Sequence, residues 1–247
     1  MSLICQLLYN YQMNSYNQWN SSVSWYDQNM GENGDTLNKE IIFPALLEMI
    51  GNVTGKKILD SGCGSGYVSA YIAEKAQSVM GTDFANGFVE LCKKKYEAKS
   101  NLSFQQQDIT KPMSFDDASF DVVISKMVLQ YVPTISTFTK ESFRILKKDG
   151  KLIVIVDHPF NTQFYYAQQI VGKPNQKYTE LKDYFNKNEQ TKLSLWGKIE
   201  LTWYPRTVSD YIQAFIKEKF ILSEMRELPE IVNGVTVPRI LILQFGK

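Results

Sequence analysis

The segment Leu59-Asp60-Ser61-Gly62-Cys63-Gly64-Ser65-Gly66 decides the fold that this chain can adopt. It joins an apolar run typical of a β-strand, residues 57–60, to an amphipathic run typical of a helix, residues 68–76. Glycines at such a junction let the backbone turn sharply and pass close to a ligand, and the start of the helix offers unpaired N–H groups. The segment therefore predicts a strand, a ligand-binding turn and a helix in direct succession.

Strand and helix patterns continue to alternate on the carboxyl side of this turn. The predicted elements are strand 57–60, helix 68–76, strand 78–83, helix 87–98, strand 102–106, strand 120–125, helix 135–146, strand 151–156, helix 208–217 and strands 220–226 and 237–245. Such alternation is typical of a parallel sheet with helices on both faces. We therefore expect a doubly wound α/β fold with a mostly parallel, seven-stranded sheet, closed by an antiparallel carboxy-terminal hairpin.

Composition and charge argue against several classes of protein. The 27 basic and 26 acidic residues nearly cancel, so the chain lacks the field that gathers nucleic acid or anionic membranes. The run of Lys93, Lys94 and Lys95 is interpreted as the solvated face of a helix, with a local basic patch as the alternative. Three cysteines without a CxxC pair predict neither disulfides nor a metal site and favour the cytoplasm. The apolar start of the chain is too short for a membrane span.

Two classes of ligand are compatible with a glycine turn between a strand and a helix. Dinucleotide enzymes use the spacing GxGxxG, which would require glycine where this chain has Tyr67. Here the spacing is GxGxG, and it is preceded by the acid Asp60. A carboxylate at that position would repel a pyrophosphate, whereas a ligand that carries an ammonium group would tolerate it. The turn therefore favours a ligand other than a dinucleotide.

An acid followed by GxGxG resembles the first motif of the class I S-adenosylmethionine-dependent methyltransferases, with Asp60, Gly62, Gly64 and Gly66 at the matching positions. The resemblance extends to residue 156, with weaker similarity before and after this segment. It implies a Rossmann-like methyltransferase fold with S-adenosylmethionine as the cofactor. The intervening turn residues Ser61 and Cys63 are then expected to belong to the cofactor site as well.

Two later strand ends continue the resemblance. Asp83 ends the second strand, where an acid can accept hydrogen bonds from both ribose hydroxyls, and Phe84 would flank the adenine. After the third strand, the family uses an acid to bind the adenine amino group and the next N–H to reach a ring nitrogen, which implies these roles for Asp108 and Ile109. The alternatives are a helix cap for Asp83 and a turn residue for Asp108.

The fourth strand continues into a segment similar to the family's fourth motif. In that motif a backbone carbonyl near Ser125 or Lys126 would accept a hydrogen bond from the methionine ammonium, and Gln130 and Tyr131 would face the substrate. The sequence lacks the Asn/Asp-Pro-Pro-aromatic signature of enzymes that methylate exocyclic or amide nitrogens. This argues against DNA adenine and glutamine side chains as acceptors.

The outer segments resemble the type 11 and type 12 small-molecule branch of the family, through residues 31–35, 158–160 and 203–207. In that branch an amino-terminal arm and an insertion after the fifth strand cover the site. The candidates for this cover are Trp25 and Tyr26 near the cofactor, Trp203 and Tyr204 near the substrate, and Tyr165 and Tyr166, with core packing as the alternative. Lys39 is a candidate partner for the methionine carboxylate, with a solvated helix lysine as the alternative.

The sole histidine, His158, follows the fifth strand at the sheet edge where ligands bind. It could act as a general base on the methyl acceptor, or serve a structural or capping role. We expect one domain over 1–247, with an arm and helix (1–50), a cofactor-binding half (51–157), an insertion or lid (158–206) and a closing helix with strands (207–247). Residues 1–35, polar and aromatic without a sustained apolar period, predict an arm or short helices.

The leading hypothesis is a monomeric or weakly dimeric enzyme that methylates O, N or C of a small molecule. Such a transfer needs mainly alignment and removal of the acceptor proton, so few side chains are obligatory. Methylation of RNA or protein is the first alternative, although the near-neutral charge counts against RNA. A regulatory protein that binds the cofactor without turnover is the second, and a dinucleotide dehydrogenase is the third.

Overall fold

A computed structural model describes residues 3–160, 184–185, 191–195, 199–232 and 234–247. The strands are β1 Lys57–Ser61, β2 Ser78–Asp83, β3 Leu102–Gln106, β4 Phe120–Lys126, β5 Leu146–Asp157, β6 Thr191–Leu195, β7 Ile199–Trp203, β8 Ile221–Val232 and β9 Val235–Gly246. The α-helices are α1 Leu3–Met30, α2 Phe43–Ile50, α3 Tyr67–Ile72, α4 Asn86–Lys95, α5 Ser136–Ile145 and α6 Val208–Ile216. A π-helical turn, Asn38–Ile42, precedes α2, and a short 3-10 turn, Leu129–Tyr131, follows β4.

Seven strands form one mixed sheet in the order β3-β2-β1-β4-β5-β9-β8. The first five pair in parallel, and β9 pairs antiparallel with both β5 and β8. The strand order reverses at β1, which has β2 on one side and β4 on the other. In open α/β sheets such a reversal leaves a crevice at the carboxyl ends of the strands. The predicted fold class and the closing antiparallel hairpin are confirmed.

The central strands are buried over most of their length because helices cover both faces of the sheet. Ile58 and Leu59 of β1 are adjacent in sequence and fully buried, yet they belong to two different hydrophobic clusters. Alternate residues of a strand point to opposite faces, so the two clusters are the cores on the two sides of the sheet. This packing holds the carboxyl end of β1, and the turn that follows it, in place.

The expectation of an arm or short helices at the amino terminus was wrong, because residues 3–30 form one continuous helix, α1. Its contact stripe is aromatic rather than aliphatic and repeats at intervals of three and four: Tyr16, Trp19, Val23, Tyr26, Met30. The helix docks on the start of α4, where Asn20 Oδ1 accepts from the Gly87 N–H at 2.7 Å. Tertiary packing therefore stabilises a helix that a scan for aliphatic periodicity misses.

The insertion after β5 contains a two-stranded antiparallel sheet, formed by β6 and β7. The candidate cover residues Tyr165 and Tyr166 lie outside the described residues.

No helix within the described ranges is long and apolar enough to cross a membrane. Among the described residues, no three side chains of His, Cys, Asp or Glu are grouped so that they could hold a metal ion.

Candidate functional site

A cavity of about 80 Å³ lies where the strand order reverses. The carboxyl ends of four parallel strands contribute to its wall: Gly62 and Gly64 after β1, Asp83 and Phe84 after β2, Gln107 and Ile109 after β3, and Lys126 to Val128 after β4. Trp19 and Tyr26 of α1, Phe88 of α4, and Tyr131 and Val132 at the end of the 3-10 turn complete it. Residues distant in sequence thus meet at the edge of the sheet where ligands bind in this fold class.

Hydrogen bonds to the end of β2, and one within the turn, hold the glycine turn in place. The N–H groups of Gly62 and Cys63 both donate to Thr82 O, at 2.7 and 2.8 Å, and the Gly66 N–H donates to Cys63 O at 3.0 Å. The Gly64 N–H donates to a side chain, Asp83 Oδ2, at 2.9 Å. These four amides are therefore engaged within the protein, and the turn offers a ligand close access to its backbone rather than these N–H donors.

Each glycine of the turn has a left-handed backbone and a different neighbour. Gly62 (φ 82°) faces Val128, and Gly64 (φ 54°) faces the ring of Tyr26. Gly66 (φ 76°) faces Cys92 and Tyr96, which belong to or follow α4. Only Gly62 and Gly64 line the cavity. Gly66 instead lets α3 begin in close contact with its neighbours, so its role is packing.

Asp83 places its carboxylate beside the turn. Its Oδ2 accepts from the Gly64 N–H and its Oδ1 accepts from the Ala85 N–H, both at 2.9 Å. Each carboxylate oxygen keeps a further lone pair for a ligand hydroxyl. Burial raises the pKa of Asp83 to about 6, against the opposing effect of the two backbone N–H groups. The geometry provides an oriented double acceptor at the end of β2.

Asp60 lies beneath the turn rather than on the cavity wall. Its carboxylate is almost fully buried, and Oδ2 accepts a hydrogen bond from Ser69 Oγ at 2.6 Å. Burial raises the pKa of Asp60, while the Ser69 hydroxyl and the positive charge of Lys126 act in the opposite direction. Asp60 therefore connects the turn to the first turn of α3. Its neighbours Ser61 and Cys63 are buried as well.

Lys126 is the basic side chain on the cavity wall. Its Nζ lies 2.9 Å from Asn38 Oδ1 and 5.2 Å from the centroid of the Tyr67 ring. By contrast Lys39, which the sequence made a candidate for the cofactor carboxylate, is exposed and does not line the cavity. The residue one position earlier, Asn38, is the one that points toward the site.

The segment after β3 supplies two wall residues and one turn residue. Ile109 is buried and lines the cavity, and so does Gln107, whose amide donates to Asp108 O at 2.9 Å. The Asp108 carboxylate accepts from the N–H and the hydroxyl of Thr110, at 2.9 and 2.7 Å, and is not on the cavity wall. The arrangement at Asp108 matches the turn alternative.

A set of packed aromatic side chains, the Tyr131 aromatic cluster, borders the cavity. Tyr131 packs edge-on against Trp19 at 5.5 Å and against Trp203 at 5.8 Å, measured between ring centroids. Trp25 packs against the same cluster without lining the cavity. The substrate candidates Tyr131 and Trp203 are therefore in contact, whereas Tyr204 lines a separate cavity of about 400 Å³ beside α6 that touches none of the glycine turn.

The remaining candidates from the sequence are buried away from the cavity. Ser125 and Gln130 are fully buried, and Gln130 O accepts the Tyr204 N–H at 2.9 Å. Both ring nitrogens of His158 have neighbours: Nδ1 accepts from the Phe160 N–H at 3.2 Å, and Nε2 lies 2.8 Å from Glu227 Oε1. Burial lowers the pKa of His158. The ring therefore connects the end of β5 to β8.

Sequence reasoning did not assign several wall residues to the site: Trp19, Phe88, Gln107, Met127, Val128 and Val132. The heptad spacing of Trp19 and Tyr26 could have placed these two on one face of a helix. Gln107 directly precedes a residue that was singled out. For Phe88, the sequence carries no signal beyond that of an ordinary core residue.

Comparison with known proteins gives consistent matches. The family Methyltransf_11, described as a methyltransferase domain, matches residues 59–154. An uncharacterized protein of Haemophilus influenzae is 25% identical over 221 residues, which cover 84% of this chain and 87% of that protein. A demethylmenaquinone methyltransferase of Lactococcus lactis is 35% identical over 119 residues, 46% of this chain and less than half (47%) of that enzyme. A crystal structure of an S-adenosylmethionine-dependent methyltransferase from Mesorhizobium loti superposes with a TM-score of 0.68 at 19% identity, covering 83% of this chain and 97% of that one.

Proposed function

Because the chain belongs to the class I S-adenosylmethionine-dependent methyltransferases, we propose that it moves a methyl group from this cofactor to O, N or C of a small molecule. The observation that carries the proposal is the position of Asp83 and the glycine turn on the wall of one cavity that also borders the Tyr131 aromatic cluster. The cavity therefore has a polar end suited to the cofactor and, next to it, an apolar end suited to the acceptor.

The residues of the cavity fit the cofactor. Asp83 offers two fixed acceptors for the ribose hydroxyls, and Phe84 and Ile109 offer apolar surface for the adenine. Gly64 has no side chain and leaves room for close approach to the turn. Pockets for ligands of this kind span about 300 to 1,000 Å³. The present cavity is smaller, so its wall must move outward when the cofactor binds.

When bound, the cofactor supplies a methyl group on a sulfonium, which a nucleophile displaces in line. Few protein groups are needed for such a reaction, and the contribution of this chain is chiefly alignment, worth about 7 to 11 kcal/mol where geometry is ideal. Asp83 and the glycine turn orient the donor end, and the rings of Trp19, Tyr26 and Tyr131 exclude water.

For His158 we favour the structural role over that of general base. A general base needs a free nitrogen within hydrogen-bond reach of the acceptor proton. One ring nitrogen of His158 accepts the Phe160 N–H and the other faces Glu227, and the ring does not line the cavity. Deprotonation of the acceptor is then left to the acceptor's own acidity or to solvent.

A flat, largely apolar acceptor is the class that the site supports best. The Tyr131, Trp19 and Trp203 rings provide edges and faces suited to another ring. The Lactococcus lactis relative is named for its action on demethylmenaquinone, which supports a quinone-related compound as the first acceptor to test. The near-neutral net charge of the chain supports a small molecule over RNA.

The test is a methyl-transfer assay with the purified chain. It uses S-adenosylmethionine labelled in the methyl group, with quinones, catechols and amines as one panel and total RNA and protein as the other. We expect label in the small-molecule panel and saturable binding of S-adenosylhomocysteine by calorimetry. Label confined to RNA or protein would contradict the proposed acceptor class. Binding without any transfer would instead support a regulatory protein.

The pKa of Asp83 predicts a pH dependence for cofactor binding. The ionised carboxylate accepts the ribose hydrogen bonds, and burial raises its pKa to about 6. Affinity for S-adenosylhomocysteine should therefore be complete above about pH 7 and fall as the pH drops through the pKa, by about tenfold at pH 5. Calorimetry at a series of pH values measures this. An affinity that does not change over that range would show that Asp83 is not the group that binds the ribose.

A further inference from the structure

The charges on the cavity wall are those of Asp83 and Lys126. Asp83 lies at the end of β2 and, in the proposed function, binds the ribose. Lys126 lies at the end of β4, on the other side of β1 in the sheet. The cofactor extends from its ribose to a methionine moiety that ends in an ammonium and a carboxylate. A carboxylate taken out of water requires a cation or several strong donors.

The Lys126 ammonium is held by neutral groups. Its Nζ donates to Asn38 Oδ1 at 2.9 Å, and the Tyr67 hydroxyl donates to the same oxygen at 2.8 Å. The orientation of the Asn38 amide is determined by Asp35, whose Oδ1 accepts from Asn38 Nδ2 at 2.8 Å and from the Asn38 N–H at 2.9 Å. The π-helical turn thus presents an amide oxygen, not a carboxylate, to the lysine.

This arrangement positions the ammonium by an amide oxygen and a ring face, and no carboxylate of the described residues lies at hydrogen-bond distance from it. The face of the Tyr67 ring adds a cation–π contact at 5.2 Å, and the side chain is partly buried. An ammonium has three N–H donors, and the Asn38 oxygen uses one of them. The positive charge also acts on Asp60, where it opposes the rise in pKa that burial causes. A further anion at the cavity would therefore gain a charge-assisted hydrogen bond.

We propose that the Lys126 ammonium binds the carboxylate of the cofactor's methionine moiety, positioned by Asn38 and Tyr67. This assignment rests on the proposed function and concerns one end of the same site. It replaces Lys39, whose side chain is exposed and outside the cavity wall. Its consequence is selectivity: Lys126 strengthens the binding of ligands that contain the amino-acid moiety and leaves binding of the nucleoside part unchanged.

Two ligands separate these contributions. S-adenosylhomocysteine contains the carboxylate, whereas 5′-methylthioadenosine has the same nucleoside and sulfur without the amino-acid end. Calorimetry would measure both ligands on the wild type, Lys126→Met, Lys126→Gln, Lys126→Arg and Lys39→Met. Circular dichroism and thermal unfolding would verify that each variant is folded, and the two neutral variants substitute for each other if one is unstable.

We expect Lys126→Met and Lys126→Gln to weaken S-adenosylhomocysteine binding about 10- to 100-fold, the effect of one charge-assisted hydrogen bond. Binding of 5′-methylthioadenosine should change less than about twofold on the same scale. Lys126→Arg should retain most of the affinity, and Lys39→Met should retain all of it.

Equal losses for both ligands would overturn the assignment, because Lys126 would then act through the structure of the turn. A loss in Lys39→Met with none in Lys126→Met would overturn it in favour of Lys39. If the wild type binds neither ligand, the proposed function itself fails. Wild-type binding of S-adenosylhomocysteine that Lys126→Met leaves unchanged overturns the lysine assignment alone.

Discussion

Replacing Gly62 with alanine is expected to lower the free energy of unfolding by about 2 to 5 kcal/mol. Two costs add. A non-glycine residue in the left-handed region, here at φ 82°, costs about 1 to 2 kcal/mol. The new Cβ would also collide with Cγ2 of Val128, and overpacking of this kind costs about 1 to 3 kcal/mol. Denaturant unfolding, followed by circular dichroism, measures the sum.

Two further variants separate these costs. Gly55 also has a left-handed backbone, at φ 70°, but no atom lies within 4 Å of the Cβ that alanine would add. Gly55→Ala should therefore show the backbone cost alone. Combining Gly62→Ala with Val128→Ala relieves the collision and should recover stability relative to the sum of the two single changes. If Gly62→Ala is no less stable than Gly55→Ala, then Val128 does not pack on the turn as described.

Replacing Asp83 with asparagine is expected to lower the affinity for S-adenosylhomocysteine at least about 100-fold. The carboxylate would lose two charge-assisted hydrogen bonds to the ribose, each worth about 1.5 to 3 kcal/mol. An amide also has one acceptor oxygen, whereas Asp83 already accepts two backbone N–H groups, from Gly64 and Ala85. Calorimetry measures the affinity, and the pH dependence described above should disappear in this variant.

Asp121 provides a matched control for the loss of a carboxylate. It too accepts a backbone N–H, from Lys57 at 2.8 Å, and it pairs with Lys147. It lies near the start of β4, at the opposite edge of the sheet from the cavity. Asp121→Asn should reduce stability without changing cofactor affinity. A similar loss of affinity in both variants would mean that the effect of Asp83→Asn comes from damage to the sheet.

The elements that could be predicted from the sequence are those whose signal is local. The bounds of β2 and β3, 78–83 and 102–106, agree with the predicted strands, because each is a short segment in which buried positions alternate with more exposed ones between two turns. The strand β5 begins five residues earlier than predicted, at Leu146, where polar residues and a left-handed Asp149 interrupt the apolar run. The helix α1 was missed because its contact stripe is aromatic rather than aliphatic, and because packing against the rest of the protein stabilises it.

The candidate site also contains features with a local signal in the sequence and features without one. A glycine with a left-handed backbone and an acid at the end of a strand are features of a few consecutive residues, so Gly62, Gly64 and Asp83 could be singled out from the sequence. The neighbours of His158 could not. Glu227 reaches it from β8, and no local pattern records which residue of a distant strand lies beside a given side chain.

By itself, the sequence determined the α/β class and the position of the glycine turn, because these depend on periodicity and on backbone conformations that glycine alone adopts readily. Only the tertiary structure decided that Lys126 rather than Lys39 lines the cavity, that the turn amides are already hydrogen-bonded, and that α1 covers the site with Trp19 and Tyr26. These features depend on contacts between segments far apart in the chain, and packing chooses such contacts from many that the local sequence allows equally well.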